Sequence, residues 1–136
     1  MDEYLKSKKT FFDNLPSTSF ALTNIDDKNG LVMLQNTKAK KHTYSVKALA
    51  DFKGRIIEKH FNGTSIEINS KQLEVNFVGI FNVYNLLAVY GTAILLNQNP
   101  DDILLIMSTL RPVSGRFETL RSAKGYTAIV DYAHTP

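Results

Sequence analysis

Asn62-Gly63 constrains the fold of this chain more than any other pair of residues. An Asn-Gly pair between two apolar-alternating runs is the strongest short-range hairpin signal, because both residues tolerate the left-handed backbone of a tight turn. It joins a strand over 54–60 to one over 64–68, where Ile66 and Ile68 share a face. Asn69-Ser70-Lys71 makes a second turn, into a strand over 72–78. From Thr43 to Val78 the pattern is that of an antiparallel meander, with no clustering of chemistry-bearing side chains.

Helical patterns flank the meander. Residues 2–13 read as a short helix, with Asp2 and Glu3 at its start and Lys6, Lys8 and Lys9 further on, as the helix dipole favours. Pro16 ends it, and Ser19–Thr23 reads as a buried strand running into the polar loop Asn24-Ile25-Asp26-Asp27. Leu31–Thr37 fits helix or strand. After the meander, Val83, Leu86, Leu87, Tyr90 and Ile94 recur at helical spacing. A second helix starts at Asn99 as N-cap, with Pro100 at its first position and Asp101 and Asp102 in its first turn. Ile103, Leu104, Ile106, Met107 and Leu110 form its apolar stripe, and Pro112 stops it. Residues 111–115 read as a linker. A strand pair comes next, over 116–121 and 126–130, turning at Ala123-Lys124-Gly125. The class is α/β, and the linker over 111–115 marks a domain junction.

Bulk properties exclude several functions. The chain has 136 residues, 43% hydrophobic, enough for one modest core. Its net charge of +3 is spread thinly; the densest basic group, Lys38-Ala39-Lys40-Lys41, reads as a solvated loop, so no nucleic-acid partner is expected. There is no cysteine, hence no disulfide framework and no thiolate metal site. No run approaches the ~20 apolar residues of a membrane span, and the charged start MDEYLKSKKT lacks a signal peptide's apolar region. A cytoplasmic location is expected.

Four groups could carry chemistry. Tyr4, Leu5, Phe11 and Phe12 lie three or four residues from Lys8, so on a helix they share its face, whereas Lys6 and Lys9 fall with Asp2 and Asp13. A lysine on an apolar face has a lowered pKa and a nucleophilic amine, able to attack or to capture carbon dioxide as a metal-binding carbamate. A lysine snorkelling over apolar surface is the plainer reading, and spacing alone favours it. Asn82 and Asn85 sit three apart at a helix start; their amides could read the edge of a base, or one could cap the helix while the other stays on the surface. Arg116, after Gly115 at the junction, could clamp a phosphate or pair with Glu118. Asp131 and His134 belong to the terminal DYAHTP, directly after the apolar run Tyr126–Val130. Polar groups just beyond a strand's carboxyl end are where α/β folds bind ligands. Asn24, Asp26 and Asp27 also come after a strand, but an Asx-turn is the favoured reading there. His42 and His60 are lone histidines in the meander, and no Gly-rich phosphate loop occurs in the chain.

In order along the chain, Met1–Lys8, Thr23-Asn24-Ile25-Asp26-Asp27, Gly79–Ala88, Leu110–Glu118 and DYAHTP resemble the Mur ligase family of peptidoglycan synthesis. The last two segments most resemble the member that adds the third amino acid. The resemblance implies that residues 1–111 are the later part of a central ATPase domain and 112–136 the start of a Rossmann-like C-terminal ligase domain. It implies ADP-forming amide synthesis: ATP phosphorylates a carboxylate to an acyl phosphate, and an incoming amine displaces phosphate. The implied cofactors are ATP and Mg2+. The implied partners are UDP-N-acetylmuramoyl-L-alanyl-D-glutamate, a diamino acid (meso-diaminopimelate or L-lysine), and the remaining domains of the same polypeptide. By the same resemblance Lys8 is carbamylated and supports the magnesium site, reversing the preference that spacing alone gives. Asn82 and Asn85 contact the adenine region, and Arg116, Asp131 and His134 contact the nucleotide. With no phosphate loop present, the chain is expected to be a fragment, inactive by itself. A folylpolyglutamate synthetase-like ligase and a non-catalytic nucleotide-binding or interaction module are the alternatives.

Overall fold

The computed structural model describes residues 3–113 and 118–131. The element order is α1 (Glu3–Asp13), β1 (Phe20–Asn24), α2 (Gly30–Met33), β2 (Lys40–Ser45), β3 (Phe52–His60), β4 (Gly63–Ile68), β5 (Lys71–Val75), α3 (Ile80–Leu95), α4 (Pro100–Thr109), β6 (Glu118–Arg121) and β7 (Thr127–Val130). The first five strands form one mixed sheet in chain order, and β6 and β7 pair separately and antiparallel. The α/β class holds, and Leu31–Thr37 resolves as the end of a one-turn helix and the loop after it.

The meander is shorter than the sequence pattern suggests. Only β3, β4 and β5 are antiparallel; β2, inside the expected meander, runs parallel to both β1 and β3. A parallel pair normally needs a long crossover. Here β2 and β3 overlap by just Tyr44↔Phe52 and Ser45↔Lys53, so a short loop closes the connection. Polar groups pin that loop: Lys53 Nζ donates to the carbonyls of Val46 and Ala48, both at 2.8 Å, and Asp51 accepts from Thr43 N at 2.8 Å. None of these contacts has a period that a pattern search would detect.

The two hairpin turns also exchange roles. The β3–β4 register pairs His60 with Gly63, so Phe61 and Asn62 form the turn and Gly63 is the first residue of β4. Gly63 is needed for space, since a Cβ there would stand 2.5 Å from the Val75 carbonyl oxygen on the neighbouring strand. The left-handed turn is the other one, where Asn69 (φ 47°) and Ser70 (φ 69°) link Ile68 to Lys71.

Helix α3 packs on one face of the sheet. Its Val83, Leu86, Leu87 and Tyr90 meet Phe52, Ile66, Ile68 and Val75 from the strands and Ile103, Leu104 and Met107 from α4. Ile66, Ile68 and Leu87 are wholly buried, as the shared-face reading requires. Phe52 and Tyr90 meet edge to face at 6.1 Å. Helix α4 begins as its sequence dictates: the Asn99 side chain accepts from Asp101 N at 2.9 Å and Asp102 N at 3.2 Å. Asn99→Ala is expected to cost ~1 kcal/mol in urea denaturation. The stripe of α4 is narrower than expected, because Ile106 is 59% exposed and the backbone turns extended at Leu110 (ψ 147°), taking that residue off the helix face.

Candidate functional site

Two cavities gather the residues with chemical capacity. The first, of 520 Å3, lies along the first turns of α3 and is lined by Asn82, Asn85 and Val89, by Leu110, Pro112 and Val113 of the segment leaving α4, and by Asp131 just after β7. Its size suits a small organic ligand. Two candidates 3 residues apart in sequence and a third 46 residues beyond Asn85 thus line one hollow.

Neither asparagine caps α3. The N-cap is Gly79, at φ 93° and ψ 143°, a conformation that suits a residue without a Cβ. Asn82 donates its amide to the Val78 carbonyl at 2.8 Å, which retains its second N–H and its side-chain oxygen for a ligand. Asn85 is exposed. The pair therefore supplies donors and acceptors along an apolar wall, which is what recognition of a heteroaromatic edge requires. Arg116 and His134 lie outside the described residues.

The second cavity, of 600 Å3, is lined by Tyr4 and Lys8 of α1, by Thr23, Asn24 and Asp27 around the end of β1, and by Tyr44 of β2. Lys8 is not buried, contrary to the apolar-face expectation; it is exposed, with its ammonium 4.3 Å from the Tyr4 ring centroid. The more buried lysine is Lys9, whose side chain is 12% exposed and bonds Asp13 at 2.8 Å. The physical reason is that α1 packs with Leu5, Lys9 and Phe12 turned inward and leaves Tyr4, Lys8 and Phe11 outside. Tyr44 beside this cavity is pushed above its ordinary pKa by burial and by the charge of Asp27.

The polar loop after β1 divides its work. Asn24 Oδ1 accepts from Asp26 N at 3.0 Å and Asp27 Oδ1 from Asn29 N at 2.7 Å, the expected Asx-turns. Asp26 does something the sequence did not reveal. Its carboxylate accepts from Ser45 Oγ (2.7 Å), Val46 N (2.8 Å), Lys47 N (3.0 Å) and the Tyr84 hydroxyl (2.9 Å). Partial burial raises its pKa, but the bonds from Ser45, Val46, Lys47 and Tyr84 outweigh that and hold it at about 2, below the usual 3.8. Tyr84 is pushed up to about 12 by burial, by its bond to Asp26 and by the nearby charge. Because Tyr84 lies between Asn82 and Asn85 on α3, Asp26 fastens the loop of the second cavity to the helix of the first.

These features define a domain of a known class. The Mur ligase middle domain matches residues 1–93, and the chain belongs to that family. Among curated relatives it is 65% identical over 136 residues to the UDP-N-acetylmuramoyl-L-alanyl-D-glutamate--2,6-diaminopimelate ligase of Parabacteroides distasonis, covering all of this chain and 28% of that protein. The protein of the same name from Bacillus velezensis is 35% identical, over all of this chain and 30% of its own length. Among solved structures, one of a UDP-N-acetylmuramoyl-L-alanyl-D-glutamate--2,6-diaminopimelate ligase superposes with a TM-score of 0.79 at 26% identity, over 97% of this chain and 29% of that one. MurF from Acinetobacter baumannii superposes at 0.85 with 16% identity, over 98% and 30%, and shows the shared fold. The chain therefore spans under a third of the length of these relatives. Among the described residues no helix is long and apolar enough to cross a membrane.

Proposed function

We propose that this chain is the later part of the central domain, with the start of the C-terminal domain from residue 112, of a cytoplasmic ADP-forming ligase. That ligase joins 2,6-diaminopimelate to UDP-N-acetylmuramoyl-L-alanyl-D-glutamate. The observation that carries the reading is the meeting of Asn82, Asn85 and Asp131 around one cavity, in a chain whose relatives bear that ligase name across its whole length. The choice of 2,6-diaminopimelate over L-lysine rests on those names.

The residues present fit the adenine end of ATP. The cavity is large enough for a purine, is mainly apolar, and offers amide donors and acceptors at its edge and a carboxylate able to accept from ribose hydroxyls. ATP supplies the phosphoryl group that activates the substrate carboxylate. This chain's part is to orient the nucleotide: Asn82 and Asn85 hold the base, the 110–113 segment and Val89 exclude water from its faces, and Asp131 fixes the sugar. The fit to Mg2+ is different. Lys8 and Asp27 line the second cavity, yet no group of three His, Asp or Glu side chains able to hold a metal occurs among the described residues. These residues do not make a magnesium site by themselves. Lys8 lines this cavity but lacks the burial that favours a free amine; a carbamate formed on it would add one anionic ligand there.

The test is the reaction of the full-length protein with ATP, the UDP-linked dipeptide and either diamino acid. ADP formation dependent on 2,6-diaminopimelate and at least ~10-fold weaker with L-lysine is expected, the discrimination a site built on polar contacts gives. ADP formation that ignores both amino acids overturns the assignment.

A further inference from the structure

We infer that Asn76 is a positioning residue for the nucleotide cavity. The inference rests on the reading of that cavity as the ATP site. Asn76 lies just after β5, and its side-chain amide donates to two carbonyls at the exit of α4, Ser108 O at 3.1 Å and Leu110 O at 3.0 Å. The final carbonyls of a helix have no partner within it. One of these is Ser108 O, and Leu110 O lies just past the helix, at the residue where the backbone turns extended. Both N–H groups of one amide are thus spent on the two ends of that bend.

The bend sets the course of the chain along the cavity. Leu110, Pro112 and Val113 form the wall facing Asn82 and Asn85. Pro112 has no N–H to donate, so it cannot itself anchor the segment through a backbone hydrogen bond. On its other side, Pro112 borders a separate polar hollow of 380 Å3 with Asn76, Arg111 and Glu118. Asn76 therefore holds the wall from behind, at the end of the segment that leads into the expected domain junction, without touching the ligand. Losing it frees the 110–113 segment to move and lowers the fraction of molecules with a formed cavity, which weakens nucleotide binding before it affects the chemical step.

The experiment measures kcat and the KM for ATP in the full-length ligase, with both other substrates saturating, for wild type, Asn76→Ala, Asn76→Asp and Asn85→Ala. Asn76→Ala is expected to raise the KM for ATP ~3- to 10-fold, the effect of one or two lost hydrogen bonds, with kcat held within about twofold. Asn76→Asp should raise it further, because a carboxylate aimed at two carbonyl oxygens repels them and cannot donate. Asn76 is exposed, so both variants are expected to fold. A raised KM in Asn85→Ala with wild-type values in both Asn76 variants overturns the inference and leaves the ATP site standing. An unchanged KM in Asn85→Ala removes the ATP site, and the inference with it.

Discussion

Asp26→Ala is expected to destabilise the chain by about 3–5 kcal/mol, the largest effect of any polar substitution in this fold. The carboxylate accepts four hydrogen bonds, from Ser45, from the backbone after it, and from Tyr84 on α3. Truncation leaves two backbone N–H groups and two hydroxyls without that acceptor. Asp26→Asn separates charge from shape. It keeps the volume but places an N–H₂ against groups that are themselves donors, so about 2 kcal/mol of loss is expected. The pH dependence gives a second signature. Asp26 has a folded pKa of about 2 against an ordinary 3.8, so its contribution is present above about pH 4 and is lost as pH falls through 2. Urea denaturation of wild type and Asp26→Asn should differ at pH 6 and draw together as pH falls through about 2. Parallel curves at every pH would show that the carboxylate charge contributes nothing.

Gly30→Ala is expected to cost ~3 kcal/mol or more, for a steric reason. A Cβ at Gly30 would lie 1.8 Å from the Asn24 carbonyl oxygen and 2.8 Å from its carbon. Both atoms are backbone, so no side-chain rotation relieves the overlap. Gly30 is also held in place, accepting from Thr23 Oγ1 at 3.1 Å and donating to the Asp27 carbonyl at 2.9 Å. The alanine must push apart the end of β1 and the start of α2, and with them Asn24 and Asp27 on the wall of the Lys8 cavity. Thermal unfolding should shift down by ~10 °C for a chain of this size. A shift below about 2 °C would mean that the loop after β1 adapts freely, and that Asp26 does not hold it as tightly as its bonds suggest.

Local signals in the sequence were reliable where the physics is local. The Asn99-Pro100-Asp101-Asp102 start of α4, the apolar spacing of α3 and the Ile66/Ile68 face depend on neighbours within a turn or a strand, and the structure has them. The parallel pairing of β2 escaped, because it depends on Lys53 and Asp51 pinning a loop from outside it. The Asn62-Gly63 signal found the right hairpin, but Gly63, instead of sitting in the turn, opens β4, where it answers to the Val75 carbonyl on another strand. Lys8 shows the limit of helical spacing as evidence. Residues three and four apart do share a face, but spacing cannot say which face the rest of the fold covers, and here the Leu5–Lys9–Phe12 side is the covered one. Asp26 and Tyr84 are 58 residues apart, with no pattern joining them, so their bond could come only from the fold. Asn82, Asn85 and Asp131 were each readable as candidates; that they share a cavity was not.

The hollow along α3 as the seat of the adenine end of ATP is the claim on which the functional reading turns. Equilibrium binding of ATP to the full-length protein, wild type against the Asn82→Ala/Asn85→Ala double variant, tests it most directly. ATP affinity is expected to weaken by ~10-fold or more, as loss of paired amide contacts to a base implies, with affinity for the UDP-linked dipeptide unchanged. Wild-type ATP affinity in the double variant would contradict it.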